Sequence, residues 1–306
     1  IFNMLFVACE YTVDMDFPQP DKKLTFNSLF CSDSVMSVYV SKITPVESTV
    51  TQPVNDLNIR ISDGEGDRYE LLNIDEGVYQ TNKKMEEGKT YTISTVYNSD
   101  TLKAQDTIPP KVEISDFSYD PNDTVNTYYN TYYPIQLTFK DIPNQSNYYE
   151  LFLYYEYKDT VYTGPGELKI SHGIPKGLAN LRSLEPEIQQ EGVYGNSSTY
   201  KYLVFSDNFF DGKNVQLEIQ CYHNYDDEDP NYLLWLGLNH ISRDYYRYKK
   251  QMIKNRERSY DFFYESGMVK EYYSNVSGGH GIFAAYSTDL DTIKHLNKWE
   301  LQGILF

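Results

Sequence analysis

Five histidines, His172, His223, His240, His280 and His295, are the first residues to weigh for catalysis or metal binding, and they are scattered along 306 residues. No two share the short helical spacing or the Cys-x-x-Cys type of arrangement that brings ligands to one zinc ion, so no metal centre is expected from them. The chain also lacks a Gly-x-Ser-x-Gly elbow, a Walker loop and a dinucleotide fingerprint, the local signatures of common hydrolase, nucleotide and redox enzymes. A triad gathered from distant residues is defined by geometry and stays open. The oxygen-rich run Asp226-Asp-Glu-Asp229 could offer Asp226, Asp227 and Asp229 to Ca²⁺. Consecutive residues on an extended chain point in alternating directions and the spacing is not that of an EF-hand, so a solvated turn is expected there, and likewise around Asp289 and Asp291. Ser206-Asp-Asn-Phe-Phe-Asp-Gly212 carries the turn pair Asp211-Gly212 and reads as a hairpin connection. Ser274-Asn-Val-Ser-Gly-Gly-His-Gly-Ile-Phe283 places Gly278, Gly279 and Gly281 before an apolar strand. With no Lys and no helix following, a phosphate loop is disfavoured, and close packing at a β crossing is the expectation.

The three cysteines make an odd number. Ile1-Phe-Asn-Met-Leu-Phe-Val-Ala-Cys9 is an apolar stretch that ends in a small residue and a cysteine, directly before polar, acidic sequence beginning at Glu10. It looks like the tail of a bacterial lipoprotein signal peptide, with Phe6 where Leu is usual. On that reading Cys9 carries acyl chains and the protein is held to a membrane by lipid. The alternative is a short buried strand ending in a core cysteine. Cys31 and Cys221, far apart in sequence, read as buried free thiols, with a disulfide left open.

Acidic residues outnumber basic ones by 44 to 27, and a net charge of −17 repels the phosphate backbone of a nucleic acid. No run of about 20 apolar residues offers a spanning helix. The aromatic residues are mostly tyrosine, 31 against 15 Phe and 2 Trp, which favours pleated, half-buried sheet surfaces and, second, a sticky face with polar tips.

The elements that must position these residues are mainly strands. Residues 1–21 read as signal remnant, lipid cysteine and tether, with Pro18 and Pro20 preventing regular structure. From 22 to 108, short alternating segments separated by Asp63-Gly64, Glu76-Gly77, Glu87-Gly88 and Asn98-Ser99 predict antiparallel hairpins in a small sandwich. Pro109-Pro110 is the expected boundary, and 111–306 the second, larger β-rich domain, with strands at 132–140, 148–157, 200–205, 215–223, 282–286 and 299–306. The Gly-, Pro- and Glu-rich stretch 164–195 reads as an excursion or short helices. Leu238, Ile241, Tyr245, Tyr248 and Met252 follow helical spacing and predict one amphipathic helix near 239–254, whose cations toward its end suit the helix dipole.

Taken together, Cys9-Glu-Tyr-Thr-Val-Asp-Met-Asp-Phe-Pro18 with Lys23-Leu-Thr-Phe26, Val204-Phe-Ser-Asp-Asn-Phe-Phe-Asp-Gly-Lys213, the helix through Ile241 to Tyr248 and the glycine stretch 274–283 resemble a family of Bacteroidota outer-membrane lipoproteins catalogued as domain of unknown function 4249. Asp207, Asp211, Gly212, Gly278, Gly279 and Gly281 fall in its signature segments, while His280 stands where the family commonly has an apolar residue. Residues 57–97 also resemble an immunoglobulin-like or carboxypeptidase-regulatory sandwich. The resemblance implies no catalytic residues and no cofactor besides acyl chains on Cys9. It implies a noncatalytic accessory of a TonB-dependent barrel, a lid, docking or substrate-capture subunit for peptide or glycan uptake. Glu10, Asp14 and Asp16 look like the export signal that places such proteins on the outer leaflet, facing the exterior. The competing expectations are an envelope hydrolase or protease whose site is assembled by folding, and a scaffold for secretion or barrel assembly.

Overall fold

The structure, a computed structural model, describes residues 23–44, 50–119, 124–126, 131–164, 167–183, 185, 188, 201–222, 232–260 and 272–294. Cys9 and the tether, His223, Asp226, Asp227, Asp229, His295 and the expected strand 299–306 lie outside these residues. The described chain is mainly β, in two sandwich cores.

The first half runs through β1 (Leu24–Cys31), β2 (Val35–Lys42), β3 (Gln52–Pro53), β4 (Ile59–Ser62), β5 (Arg68–Asp75), β6 (Val78–Lys84), β7 (Thr90–Tyr97) and β8 (Asp100–Thr107). Their alternation is visible in burial: Leu24, Phe26, Met36, Val38, Val40, Ile59, Ile61 and Ile93 point into one core while the residues between them face out. The expected turn residues do the turning. Asn98 and Ser99 both take positive φ (49° and 70°), the two-residue geometry that closes β7 on β8 between Tyr97 and Asp100.

The second half contains β9 (Ile114–Tyr119), β10 (Val125–Asn126), β11 (Thr131–Lys140), β12 (Tyr148–Gly164), β13 (Glu167–Leu178), β14 (Asn180–Ser183), β15 (Tyr202–Ser206), β16 (Asn214–Tyr222), β17 (Tyr232–Ile241), helix α1 (Arg243–Tyr260) and β18 (His280–Lys294). A five-stranded sheet, β10-β11-β16-β14 with β9 on β11, packs against the inner face of β12, β15 and β17 around Ile135, Leu137, Tyr149, Leu151, Ile219 and Leu236. Three expectations are corrected. Residues 167–178 and 180–183, expected in an excursion or short helices, form strands; β13 pairs with β12 through register shifts that absorb its irregular composition. The turn at Asp211-Gly212 is not a hairpin, because β15 pairs with β12 and β16 with β11 and β14, so the chain crosses from one sheet to the other. The helix starts at Arg243, since Asn239–Ile241 finish β17; Ser242 caps it, its carbonyl accepting from Tyr246 N–H (2.9 Å) and its hydroxyl from Tyr245 N–H (3.2 Å).

One strand joins the two cores. The first part of β18 pairs in parallel with β1, from Thr25 opposite His280 to Cys31 opposite Tyr286, and its second part pairs antiparallel with β17, from Ile241 opposite Tyr286 to Leu233 opposite Lys294. A single 13-stranded sheet results. Chain order passes from the first core to the second at Pro109-Pro110, yet Val276, Phe283 and Ala285 sit in the core otherwise built by residues 24–108. The glycine stretch makes this return passable: a Cβ on Gly281 would lie 2.0 Å from the Phe26 carbonyl oxygen, and one on Gly278 2.3 Å from that of Thr101, and both residues have positive φ. A Cβ on Gly279 would lie 2.6 Å from Leu102 Cδ2 and 2.8 Å from the Leu24 carbonyl oxygen, so the expected tight β crossing is what forms.

Candidate functional site

Where the two cores meet, the end of β8, the Pro109-Pro110 linker, the loop before β12 and the start of α1 enclose a cavity of about 610 Å³ lined by Gly88, Asp106, Pro109, Gln145, His240 and Arg243 among others. Asp106 is the polar pin of this seam. One of its oxygens accepts from the Ser242 hydroxyl (2.5 Å) and the Ala285 N–H (2.8 Å), the other from Thr107 N–H (2.9 Å), tying β8 to α1 and β18. Burial pushes its carboxyl up to about 6, against the pull of those donors. His240 lies across the cavity, its ring on Tyr149 (5.3 Å between centroids) and its Nδ1 2.7 Å from the Pro110 carbonyl oxygen. A carbonyl only accepts, so Nδ1 carries the proton; burial lowers the pKa of the ring and it stands neutral at pH 7.

Serine, histidine and aspartate thus share one cavity, but their hydrogen bonds do not form a relay. The Ser242 proton goes to Asp106 and its oxygen to a helix N–H, while the His240 N–H goes to a backbone carbonyl. A nucleophile needs its hydroxyl proton directed to the base, which these contacts do not provide.

Behind the cavity lies a carboxylate knot containing two of the signature residues. Asp141, Asp207 and Asp211 each bring an oxygen within 4.8 Å of the others, and Asp141 and Asp207 are buried. Asp141 accepts from the hydroxyl of Tyr149 (2.5 Å), Asn147 Nδ2 (3.1 Å) and Gly212 N–H (2.7 Å), while Asp207 accepts from Asn147 N–H (2.8 Å) and Nδ2 (3.1 Å), and Asp211 from Asn144 N–H (2.9 Å). Burial raises the Asp207 pKa, and Asp141 beside it adds to the rise. The trio could offer oxygens to a hard cation, but the geometry is that of a sheet-to-sheet crossing fastened by side chains. Asp289, weighed as a weak Ca²⁺ ligand, is bound instead by Lys111 Nζ (2.6 Å) and Ile114 N–H (2.8 Å). Asp291 is half-buried on β18, and His280 is exposed at the start of that strand. Cys31 and Cys221 are free thiols in different sheets; Cys221 is buried, which pushes its pKa up to about 12, whereas Cys31 is only partly covered.

The third assembly surrounds α1, on the outer face of the large sheet. Glu150 is buried between hydrophobic neighbours on β12, and its oxygens accept from Asn239 Nδ2 (2.9 Å) and the Tyr245 hydroxyl (2.9 Å) and face Lys249 Nζ (2.7 Å). The Lys249 ammonium also sits 4.0 Å over the Tyr202 ring, and Asn239 receives the Thr288 hydroxyl (2.7 Å). Every oxygen of this buried carboxylate is engaged, the condition under which an ion pair survives loss of water. Tyrosines close around it: Tyr148 stacks on Tyr246 at 4.5 Å, Tyr245 meets Tyr286 edge-on, and Tyr202, Tyr248 and Tyr273 pack half-buried against Ile241, Ile253 and Ile282. Asp244 in the first helical turn accepts from the Tyr273 hydroxyl (2.7 Å) and Asn275 Nδ2 (2.9 Å), and Asn275 in turn bonds the Phe283 backbone. Tyrosines from the excess in the sequence gather here, whereas Glu150, Asp106, Asp141 and Ser242 went unnoticed. The signal available for Glu150 was a lone charge inside the apolar run Tyr148-Tyr-Glu-Leu-Phe-Leu153.

No curated protein matches the chain. From the acidic residue after Cys9, through the carboxylate knot, the tyrosine-bearing helix and the glycine crossing, residues 10–291 match the family described as Domain of unknown function (DUF4249), and the chain belongs to that family.

Proposed function

We propose that the protein is a noncatalytic, lipid-anchored accessory subunit of a TonB-dependent outer-membrane transporter, exposed to the cell exterior, where it acts as a lid, docking or capture subunit for a nutrient such as a peptide or glycan. The observation that carries this reading is the gathering of tyrosines around α1 on the outer face of the sheet, where half-buried rings beside the exposed Tyr272 offer aromatic area suited to gripping a partner. The seam cavity adds support for binding over turnover, because its serine, histidine and aspartate are spent on holding the two cores together. The anchor rests on the residues preceding and including Cys9.

Purification of the native protein in detergent tests the whole reading. Co-purification with a large barrel, weakened by Tyr248→Ala with Tyr272→Ala, is the expected result; Tyr272 is 57% exposed. Turnover of a peptide or ester library by the isolated protein would replace it with the hydrolase reading, and secretion or barrel-assembly machinery as the companions would replace it with a scaffold. Cys9→Ala is expected to leave the membrane fraction, and mass spectrometry of the mature amino terminus to find acyl chains on the Cys9 sulfur.

A further inference from the structure

Helix α1 presents a second surface, turned away from the buried Tyr245 and bordered by Tyr246 and Tyr273. Arg243, Arg247, Lys250 and Lys254 recur at i, i+4, i+7 and i+11, one stripe along the helix. Arg243, Arg247 and Lys254 are exposed, whereas Tyr245, Ile253 and Asn255 turn inward. Over the eleven steps from Arg243 to Lys254 the stripe is about 16 Å long. Part of its charge is engaged locally: Arg247 donates to the Tyr273 hydroxyl, lies 5.8 Å from the centre of that ring and feels Asp244, and Lys250 Nζ is 5.8 Å from the centre of the Tyr246 ring. Lys249, the cation committed to Glu150, lies on the buried side, and the acidic residue between 243 and 255, Asp244, is drawn aside by Tyr273 and Asn275. Among the described residues neither Arg243 nor Lys254 has an ion-pair partner.

We infer that this stripe docks the protein on the anionic phosphate headgroups of the membrane leaflet that holds it, an inference that rests on the lipid-anchored reading. A chain of net charge −17 is repelled by an anionic surface in most orientations. At physiological salt the field of distant carboxylates decays within about 8 Å, so the cations in contact decide the outcome, and the orientation with α1 facing the membrane is attractive. The place where β1 starts agrees. β1, which the tether enters, begins with Thr25 opposite His280, and the Ser242 N–H at the helix start bonds Ala285, about 17 Å further along the same strand. A tether of about 12 residues reaches up to about 40 Å, so Cys9 can insert while the stripe lies flat. Docking on this face fixes which side of the molecule looks outward.

The test uses the full chain with Cys9→Ser, so that no acyl chain contributes, and vesicles of phosphatidylcholine with and without phosphatidylglycerol. Sedimentation with the phosphatidylglycerol vesicles at low salt, its disappearance at high salt, and about a hundredfold weaker partition for the triple variant R243Q/R247Q/K254Q are expected, from roughly 1 kcal/mol per cation at the surface. Circular dichroism melting of that variant should match the parent, and Arg243→Lys with Arg247→Lys and Lys254→Arg should retain binding. Equal loss in the control K42Q/K84Q/K103Q, whose lysines are exposed on other strands, would overturn the assignment to α1. Binding to polyglutamate without binding to vesicles would overturn the membrane in favour of an acidic protein partner. Either failure leaves the anchor itself intact, since acylation of Cys9 is read separately by mass spectrometry.

Discussion

At the scale of single residues, the seam is governed by two groups that titrate in opposite directions. Asp106 moves from an ordinary 3.8 to about 6 because it is buried, so between these values the folded protein holds a proton that the unfolded chain has released. Its contribution to stability is therefore greatest below about pH 4 and declines as the pH rises to about 6, a loss of roughly 3 kcal/mol. His240, with its pKa depressed below 6.5, works the other way: the unfolded chain takes up the proton first, and stability falls as the pH drops through 6.5. Asp106→Asn should remove the first slope and leave the second, so that urea unfolding of the variant loses stability on acidification more steeply than the parent. An unchanged profile would mean that Asp106 is solvated. Glu150 makes a different prediction, because its removal strands Lys249 in a pocket shaped for its partner. Glu150→Ala should cost about 3–5 kcal/mol in denaturant, and Lys249→Met combined with it should recover part of that loss.

At the scale of elements, the sequence was informative wherever one local rule decided the outcome. Asn98-Ser99 pointed to a turn, and three glycines before an apolar run pointed to a backbone passing close to another. Gly281→Ala tests this directly: with 2.0 Å between its Cβ and the Phe26 oxygen, β18 must shift off β1, and a fall in stability of several kcal/mol with a lower melting temperature is expected. The errors arose where two periods coincide or where pairing is remote. Leu238 and Ile241 fit the helical spacing of Tyr245, but they are buried on opposite faces at the end of a strand, Leu238 in the inner core and Ile241 beneath α1, and only the cap at Ser242 separates the two elements. Asp211-Gly212 carries the local chemistry of a hairpin, whereas the partners of β15 and β16 lie tens of residues away in sequence, beyond the reach of any turn signal. The buried polar pins, Asp106 with Ser242 and Glu150 with Lys249, are likewise assembled from segments about a hundred or more residues apart, so no spacing announces them.

At the scale of the whole molecule, β18 makes the two sandwiches one unit. Phe283 and Ala285 complete the first core, Leu238 and Leu236 beside the later part of the strand belong to the second, and Asp106 closes the gap between them. Calorimetry should therefore give a single transition with equal calorimetric and van't Hoff enthalpies; two resolved transitions would show independent domains. The direction of β18 has a mechanical consequence as well. Its seven paired positions with β1, Thr25 to Cys31, run parallel, so a pull on the chain entering at Leu24 acts along the strand axes and loads the ladder in shear. All of its rungs must yield together instead of unzipping one after another, so the ladder resists tension on the chain that enters it.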